Sequence, residues 1–394
     1  MGAPSLNDLP APPPGKTGWP WTEESAPLSR GQGEPVGASY PRISIVTPSY
    51  NQGPFLEETI RSVLLQGYPD LEYIVIDGNS TDESVAIISK YEPWIIYWIS
   101  EPDAGQTDAI NKGIRKTSGD ILAWLNSDDV YCPEALREIG KSFMTLPHVD
   151  LLYGDCEMID GSGRVYDRFN VRSGDIIQLL EENFIAQPSA FCTREAWEKA
   201  GGLDENLHYA MDYDLWLRVF LGGMTSVHLP AVLSRFRYHA ASKSGVKSVQ
   251  FGRECLDVLD KIGAEPRDRR LLLAILQAYH RTFEAIIVSY EQTIADSRKL
   301  RDSVSELLDL WIVHLEKFRS DYRSSPQLLA QSYFDIGSYS CVLGHMNAGR
   351  SFFTKALLTN GGLLREALRA WLMTFAGQKP FKRRRRLQAP KVSW

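Results

Sequence analysis

The sequence predicts an α/β protein, with a mostly parallel β-sheet in the first part of the chain and an all-helical C-terminal region. Between residues 43 and 125, short apolar runs alternate with amphipathic helical patterns, which is typical of βαβ units. After about residue 245 the strand pattern disappears and long helical patterns follow. The chain has 394 residues, of which 43% are hydrophobic and 23% charged. It is therefore an ordinary globular sequence, long enough for two or three domains of about 150 residues each.

Each predicted strand is a short apolar run, and each predicted helix repeats apolar residues at every third or fourth position. Pro48 is expected to end the first strand shortly after Val46. The strands are predicted at residues 43–46, 73–76, 94–99 and 121–125, and the helices between them at 55–66, 82–91 and 106–116. Ligands bind at the carboxyl ends of the strands in parallel sheets, so the chemistry is expected just after these four strands.

Composition divides the chain into three parts. Residues 1–40 are rich in Pro, Gly and Ser and are expected to form a flexible arm, from which Trp19 and Trp21 could dock on a domain surface. Residues 41–245 form the predicted α/β domain, and residues 246–394 form the predicted helical domain with a basic tail. The predicted helices of this last part cover residues 269–290, 303–318, 326–339, 348–358 and 363–375.

Charge and cysteine usage exclude several classes of protein. With 43 basic and 49 acidic residues, the net charge of -6 argues against a nucleic-acid-binding protein. The five cysteines are widely spaced, which favours buried thiols in a reducing compartment over a disulfide framework or a zinc cluster. No wholly apolar run appears long enough to span a bilayer, and no secretory signal is visible. We therefore expect a cytoplasmic protein.

Polar side chains follow each of the four predicted strands. They are Tyr50 and Asn51 after the first, Asp77 and Asp82 after the second, Glu101 and Asp103 after the third with Asn111 in the next helix, and Asn126, Asp128 and Asp129 after the fourth. Carboxylates at one sheet edge predict a site for Mg²⁺ or Mn²⁺, which bind together with substrate phosphates. For Asp82 a helix cap is the better interpretation. For Asp128 a cation is favoured, because adjacent carboxylates repel each other.

Between residues 43 and about 245, five motifs in the expected order resemble those of family-2 glycosyltransferases with the GT-A fold. They are VTPSYN (46–51), IDGNSTD (76–82), AINKG (109–113), LNSDD (125–129), and GGLDE (201–205) together with MDYDL (211–215). The resemblance implies a nucleotide-diphospho-sugar transferase fold with a Rossmann-like sheet. It also implies transfer of a sugar from a nucleotide-diphosphate sugar to a glycan or lipid-linked acceptor, with a divalent metal and usually with inversion. Such an enzyme would serve cell-surface polysaccharide or glycoconjugate biosynthesis.

The resemblance and the strand ends together predict the site residues. The donor-binding residues are Pro48, Tyr50, Asp77, Asp103, Asn111 and Asn126; the metal ligands are Asp128, Asp129 and His239; the acceptor-facing residues are Gln187 and Asp204. The Asp-x-Asp metal motif of the family falls on residues 126–128, where its first position is Asn126. This departure shifts the metal-binding role to Asp128 and Asp129. His239 is either a metal ligand or a structural histidine.

Two acidic residues open the helix that carries the MDYDL motif. Asp212 lies on the apolar, inward face of this helix and is the predicted general base, which must take the proton of the attacking hydroxyl. An alternative role for Asp212 is to offset the helix dipole. Asp214 precedes Arg218 by four residues, the spacing of a surface ion pair. In the loop near residue 240, Arg237 and Lys243 either pair with phosphate or are solvated basic residues.

Two other functions compete with sugar transfer. A sugar-phosphate nucleotidyltransferase also holds a metal with aspartates, but it needs a basic, glycine-rich loop after the first strand, and residues 47–53 supply neither feature. The chain could also be a non-catalytic nucleotide-binding scaffold, although both Asp128 and Asp212 are present. The last predicted helix, residues 363–375, carries an apolar stripe and is followed by five basic residues at 382–386. This pattern predicts peripheral binding to an anionic membrane surface, unless the stripe packs on the preceding helices.

Overall fold

The computed structural model describes residues 3–28, 40–146, 148–239, 248–264, 269–293, 297–317, 325–343, 345–359, 367, 369–371 and 374. The chain forms two compact units. The first contains residues 1–179 and 183–246, and the second contains residues 180–182 and 247–394. The first unit is α/β and the second is helical, so the predicted fold class is confirmed.

The first unit is built on one nine-stranded sheet with the order β3-β2-β1-β4-β8-β6-β9-β5, and β7 pairs with β6 outside this path. The strands are β1 Ile43–Ser49, β2 Leu71–Asp77, β3 Tyr97–Ser100, β4 Ile121–Trp124, β5 Val130–Tyr131, β6 Leu151–Ile159, β7 Val165–Arg168, β8 Ala190–Thr193 and β9 Ser226–Arg237. Strands β1 to β4 are parallel to one another. The other half is mixed, because β8 is antiparallel to both β4 and β6 whereas β6 and β9 are parallel. The sheet is thus less parallel than expected.

The first strand is longer than predicted. It continues through Pro48, which lies opposite Ile76 of β2, and ends at Ser49, opposite Asp77. Every residue of β1 is buried. The prediction that Pro48 ends the strand is therefore wrong. The carboxyl end of β1 lies at Ser49, three residues after Val46.

Seven helices and two short 3₁₀ turns complete the described part of the first unit. They are α1 Gly53–Leu64, α2 Ser84–Tyr91, α3 Gln106–Ile114, α4 Ala135–Thr145, α5 Ile176–Glu181, α6 Arg194–Ala200 and α7 Met211–Leu221, with 3₁₀ turns at Glu92–Trp94 and Gln187–Ser189. Asp82 serves two of these helices. Its carboxylate accepts hydrogen bonds from the amides of Ser84 at 3.0 Å and Gly53 at 2.9 Å. It stabilises the beginnings of α2 and α1, as expected of a cap.

Tryptophans pack α6 and α7 against the sheet. Trp124 of β4 stacks on Trp216 of α7, with ring centroids 5.9 Å apart, and meets Trp197 of α6 edge-on at 6.1 Å. Trp124 and Trp216 are almost completely buried. This packing fixes the beginning of α7 relative to the end of β4, where the predicted site lies.

The amino-terminal segment is not a free arm. Residues 3–28 pack on the first unit, and Leu9 and Trp21 are buried there. Arg61 of α1 is fully buried and donates hydrogen bonds to the carbonyl oxygens of Pro10, Pro20 and Trp21 at 2.9–3.0 Å. The predicted flexible arm is therefore wrong for this segment. This segment supplies carbonyl partners to the buried guanidinium of Arg61, and no local sequence pattern predicts such a long-range contact.

The described helices of the second unit are α8 Ser248–Gly263, α9 Arg269–Thr293, α10 Ser297–Lys317, α11 Pro326–Leu343 and α12 Met346–Leu358. In α9, residues Arg270–Ser289 are long and apolar enough to cross a membrane, contrary to the sequence expectation, although 61% of this window is buried as in an ordinary core helix. Most of the predicted last helix and the basic run at 382–386 lie outside the described residues.

All five cysteines are free and buried. Burial raises the pKa of Cys132 to about 11 and that of Cys156 to about 12. Thiols with such pKa values stay protonated and unreactive at neutral pH. The expectation of buried thiols is confirmed.

Candidate active site

The loops after β1 and β2 interlock at the carboxyl edge of the sheet. The amide of Asn51 donates to Ser80 Oγ at 2.8 Å, and the amide of Thr81 donates to Asn51 Oδ1 at 2.8 Å. Asn51 and Asn79 adopt left-handed backbone conformations, with φ of 51° and 65°, which Asn tolerates better than most residues. Tyr50, between these loops, is 62% exposed. Of the predicted donor-binding residues, Tyr50 therefore presents an accessible ring.

Asp77 and Pro48 do not offer such a surface. Asp77 is fully buried, and its carboxylate accepts hydrogen bonds from the amide and hydroxyl of Ser80 at 2.9 and 2.5 Å and from Ser100 Oγ at 2.6 Å. Pro48 is a buried strand residue. Asp77 thus holds the loop after β2 to the end of β3, and donor contact by these two residues stays a prediction.

The side chain of Asp103 lies close to the backbone of Gly78, in the loop that follows β2. A Cβ atom at Gly78 would come 2.8 Å from Asp103 Oδ2, so a larger residue there would displace the Asp103 carboxylate. The amide of Gly105 donates to Asp103 Oδ1 at 2.9 Å. Partial burial raises the pKa of Asp103. Asp103 is thus brought to the predicted edge, where its second oxygen faces Gly78.

Asn126 is the centre of a side-chain network after β4. Its Oδ1 accepts a hydrogen bond from Gln106 Nε2 at 2.6 Å, and its Nδ2 donates to Asp129 Oδ2 at 3.2 Å and to Gln187 Oε1 at 3.0 Å. An aspartate at position 126 would have a carboxylate oxygen in place of the amide nitrogen of Asn126. This oxygen would repel the acceptor oxygens of Asp129 and Gln187. The network therefore explains why the first position of the metal motif is Asn in this chain.

The same network uses the polar atoms of Gln187. Its Nε2 donates to the carbonyl of Trp124 at 2.8 Å while its Oε1 accepts from Asn126. The geometry assigns Gln187 to positioning Asn126, whereas sequence reasoning placed it at the acceptor. Gln106 was missed by sequence reasoning, although its place at the first position of α3, just after β3, is the signal that could have indicated it.

Asp129 faces the protein interior. It is fully buried, and its Oδ1 accepts from the amide of Arg237 at 2.9 Å. Burial raises the pKa of Asp129 well above its ordinary value, and the charge of Asp128 raises it further. With one oxygen bonded to Arg237 and the other to Asn126, Asp129 fastens the end of β9 to the turn after β4. This geometry favours a structural role over the predicted metal-binding role.

Asp128 and His239 meet although they are 111 positions apart in sequence. His239 Nε2 lies 3.0 Å from Asp128 Oδ2, and the two side chains are 12% and 16% exposed. The imidazole packs against Phe55 at the beginning of α1, with ring centroids 4.7 Å apart. The fold thus brings together two of the three predicted metal ligands at an accessible position on the sheet edge.

Arg237 holds the end of β9 in place. It is buried, and its guanidinium donates to the carbonyls of Asp128 at 2.8 Å and Asp160 at 3.2 Å and to Glu58 Oε2 at 3.1 Å. Neither interpretation from the sequence is correct for Arg237, because it is neither solvated nor turned towards a phosphate. Lys243 lies outside the described residues.

The two acidic residues of α7 differ in their surroundings. Asp214 is buried and forms an ion pair with Arg218 at 2.5 Å, and Arg218 also donates to the carbonyl of Ala200. The predicted partner is correct, but the pair is not on the surface. Asp212 lies in the first turn and is half-buried, and one of its oxygens accepts from the amide of Tyr213 at 2.8 Å.

Asn111 and Asp204 organise the loop that precedes α7. Asn111 Nδ2 donates to the carbonyl of Leu203 at 2.9 Å, and its Oδ1 accepts from the amide of Leu203 at 3.3 Å. Asp204 accepts hydrogen bonds from the amide and side chain of Asn206 at 3.0 and 2.8 Å. Asn111 therefore ties α3 to this loop, and its contact with the donor stays a prediction.

Comparison with known sequences agrees with this geometry. The sequence model of glycosyl transferase family 2 matches residues 44–194. An uncharacterized glycosyltransferase of Mycobacterium tuberculosis is 34% identical over 188 residues, which cover 46% of this chain and 70% of the relative. Another from Rickettsia prowazekii is 32% identical over 210 residues, which cover 51% of this chain and 65% of the relative. These relatives define the class as glycosyltransferases.

The chain belongs to glycosyl transferase family 2. Among solved structures, Staphylococcus aureus TarS 1-349 in complex with UDP-GlcNAc has a TM-score of 0.50 at 12% identity, covering 87% of this chain and 92% of that one. The Pyrobaculum calidifontis mannosyltransferase PcManGT, in complex with GDP-Man and Mn²⁺, has a TM-score of 0.47 at 16% identity, covering 72% and 83%. At this identity the likeness to TarS concerns the fold, which is GT-A.

Proposed function

We propose that this chain transfers a sugar from a nucleotide-diphosphate sugar to an acceptor hydroxyl with inversion at the anomeric carbon. The observation that carries the proposal is the contact between Asp128 and His239, 3.0 Å apart at the carboxyl edge of the sheet. Family membership supports sugar transfer over nucleotidyl transfer and over a non-catalytic scaffold. We further propose that the product belongs to cell-surface polysaccharide or glycoconjugate biosynthesis.

The residues at this edge fit a divalent metal. Asp128 supplies a carboxylate oxygen and His239 an imidazole nitrogen, and both side chains are partly accessible. An oxygen and an imidazole nitrogen together suit Mn²⁺ better than Mg²⁺, which prefers oxygen ligands alone. Asp129 is a weaker candidate ligand because both its oxygens accept hydrogen bonds. A bound divalent ion would neutralise the negative charge that builds on the departing diphosphate.

The remaining groups act on the two substrates. The exposed ring of Tyr50, after β1, is proposed to contact the nucleotide, and Asp103, after β3, is proposed to contact the donor as well. Asp212 takes the proton from the acceptor hydroxyl during attack, because a neutral hydroxyl is a poor nucleophile. An attack on the face opposite the diphosphate inverts the anomeric carbon in one displacement.

A panel of nucleotide sugars tests the proposed function. Each donor is incubated with the full chain and with Mn²⁺ or Mg²⁺, and the released nucleoside diphosphate is measured. We expect hydrolysis of at least one donor, faster with Mn²⁺ than with Mg²⁺. Folded protein that releases no diphosphate from any donor with either ion would refute sugar transfer. Pyrophosphate release from a nucleoside triphosphate and a sugar phosphate would establish nucleotidyl transfer instead.

We also propose that the protein works in the cytoplasm, at the inner face of the membrane, where a lipid-linked acceptor would be met. The support is the basic run at 382–386 alone, because the described part of the apolar stripe packs within the helical unit, where Ala367 and Ala370 are buried and Trp371 lies against the core. Each basic residue near an anionic membrane contributes about 1 kcal/mol. The buried free thiols agree with a reducing compartment.

A liposome sedimentation assay tests this membrane proposal. The full chain should sediment with vesicles that contain anionic lipid at low salt, and should be released at high salt because the attraction is screened. A chain truncated before Lys379 should remain in the supernatant. Equal sedimentation of the two proteins, or none at low salt, would rule out membrane binding through the tail.

A further inference from the structure

Three side chains with metal-binding atoms converge in the helical unit. His280 and Glu284 lie one turn apart on α9, and Asp335 lies on α11. One ligand atom from each residue lies within 4.8 Å of the other two. His280 is buried, at 9% exposure, and the side chains of Asp335 and Glu284 are 13% and 33% exposed. This group has no part in the candidate active site of the first unit.

The hydrogen bonds around Ser332 fix the proton of the imidazole. Ser332 Oγ donates to the carbonyl of Leu328 at 3.0 Å, which uses the only proton of the hydroxyl. Ser332 Oγ must therefore accept its hydrogen bond from His280 Nδ1, which lies 3.3 Å away. In a neutral imidazole the proton is then on Nδ1, and Nε2 carries the lone pair. This is the arrangement in which Nε2 serves as a metal ligand.

The lone pair of Nε2 faces two carboxylates. Nε2 lies 3.3 Å from Asp335 Oδ2 and 3.8 Å from Glu284 Oε2. Three electron-rich atoms at these distances repel one another unless a proton or a metal ion lies between them; burial lowers the pKa of His280, but its hydrogen bond with Asp335 raises it overall. A proton on Nε2 would form a hydrogen bond with Asp335 alone, because Glu284 is beyond hydrogen-bond distance. A metal ion would use all three ligands.

The distance from Nε2 to Asp335 matches two ligands of a shared ion, whereas the 3.8 Å to Glu284 is longer and requires a small movement of that side chain. Charge-assisted N–H···O bonds are usually about 2.7–2.9 Å long. Two ligand atoms at about 2.0–2.1 Å from a tetrahedral Zn²⁺ lie ~3.3 Å from each other, and the distance from Nε2 to Asp335 Oδ2 is 3.3 Å. Gln331 Nε2 donates to the same Asp335 oxygen at 2.7 Å. Such outer hydrogen bonds orient ligating carboxylates.

We propose that His280 Nε2, Glu284 and Asp335 bind one divalent transition metal of the Zn²⁺ type, with the fourth position open to water. One nitrogen and two oxygen ligands suit Zn²⁺ and exclude a preference for Mg²⁺. The metal would link α9 directly to α11, and Trp311 of α10 packs edge-on against the His280 ring at 5.3 Å. By joining two helices it would stabilise the helical unit.

Zinc titration tests this site in the full chain that carries Asp128→Asn, a substitution that removes a ligand of the proposed metal site in the first unit. The Asp128→Asn variant is stripped with a chelator, and Zn²⁺ binding is measured by calorimetry. We expect one Zn²⁺ per chain, and a melting temperature that rises with Zn²⁺ concentration. Adding Glu284→Gln or Asp335→Asn should weaken Zn²⁺ binding by more than the about 10–100-fold that loss of an outer-shell partner costs.

His314→Gln in the same background is the matched control. His314 is also buried in the helical unit, but it faces a single carboxylate, that of Asp260 at 3.8 Å. Its loss should leave Zn²⁺ binding unchanged. Circular dichroism of the metal-free variants establishes that each is folded, and Glu284, the most exposed of the three ligands, provides the variant least damaging to the fold. Absence of Zn²⁺ binding to folded Asp128→Asn protein, or unchanged binding after Glu284→Gln and Asp335→Asn, would overturn the proposal.

Discussion

Replacement of Asp128 by Asn is expected to abolish sugar transfer and metal-dependent nucleotide binding. Asp128 supplies the carboxylate beside His239, whereas the neighbouring carboxylate of Asp129 is buried and bonded to Asn126 and Arg237. An amide has the same shape but no charge to balance a dication. Calorimetric titration with a nucleoside diphosphate, with and without Mn²⁺, should show that the metal no longer strengthens binding.

Asp120→Asn is a matched control for this experiment. Asp120 is at the opposite edge of the sheet, just before β4, where its carboxylate accepts a hydrogen bond from the amide of Arg42 at 3.0 Å. The same loss of one negative charge there should leave nucleotide and metal binding unchanged. If Asp128→Asn protein binds nucleotide and Mn²⁺ as tightly as the original chain, Asp128 is not a metal ligand.

Replacement of Asp212 by Asn is expected to leave donor binding intact while slowing transfer to the acceptor about 10²–10⁴-fold, the usual contribution of a general base. Asp212 is half-buried in the first turn of α7, whose Trp216 stacks on Trp124 at the end of β4. The measurement is steady-state kinetics with the donor found in the panel, together with calorimetric donor binding. An unchanged transfer rate would exclude Asp212 as the base.

Asp214→Asn provides the comparison at the adjacent acidic position. Its carboxylate is buried against Arg218, so the substitution removes a charged hydrogen-bonded pair from the packing between α6 and α7. We expect a loss of about 1.5–3 kcal/mol in the free energy of unfolding, with a smaller effect on the rate of folded enzyme. Denaturant unfolding measures the first quantity. If Asp214→Asn lost the rate and Asp212→Asn lost the stability, the two roles would be exchanged.

The fold was predictable where its signals are local. Strands β1 to β4 alternate in sequence with helices α1 to α3, so the spacing of apolar residues indicates each of them, although the pairing of β1 with β4 is itself long-range. The second half of the sheet depends on distant pairing, such as β6 with β9 and β8 with β4. With 9 and 12 residues, β6 and β9 are longer than β1 to β4, so it is their distant pairing and not their length that a local pattern cannot indicate.

The sequence selects candidate site residues but does not show their partners. Motif resemblance selected Asp128, His239 and Asp212, whereas the burial of Asp77 by Ser80 and Ser100 depends on two loops meeting in space. Asp214 shows the same limit. Its spacing predicted Arg218 correctly, but helical periodicity could not show that the packing of α6 over α7 removes the pair from solvent.

The contacts of Arg61 show that the segment matching the family and the folded unit have different boundaries. The recurrent family segment covers residues 44–194, yet the carbonyl oxygens that satisfy the buried guanidinium of Arg61 belong to Pro10, Pro20 and Trp21. A buried charge that loses its partners costs several kcal/mol, which is comparable to the whole stability of a domain. The segment that matches the family is therefore shorter than the unit that folds cooperatively. The amino-terminal residues belong to the core of that unit as fully as the strands within the matched segment.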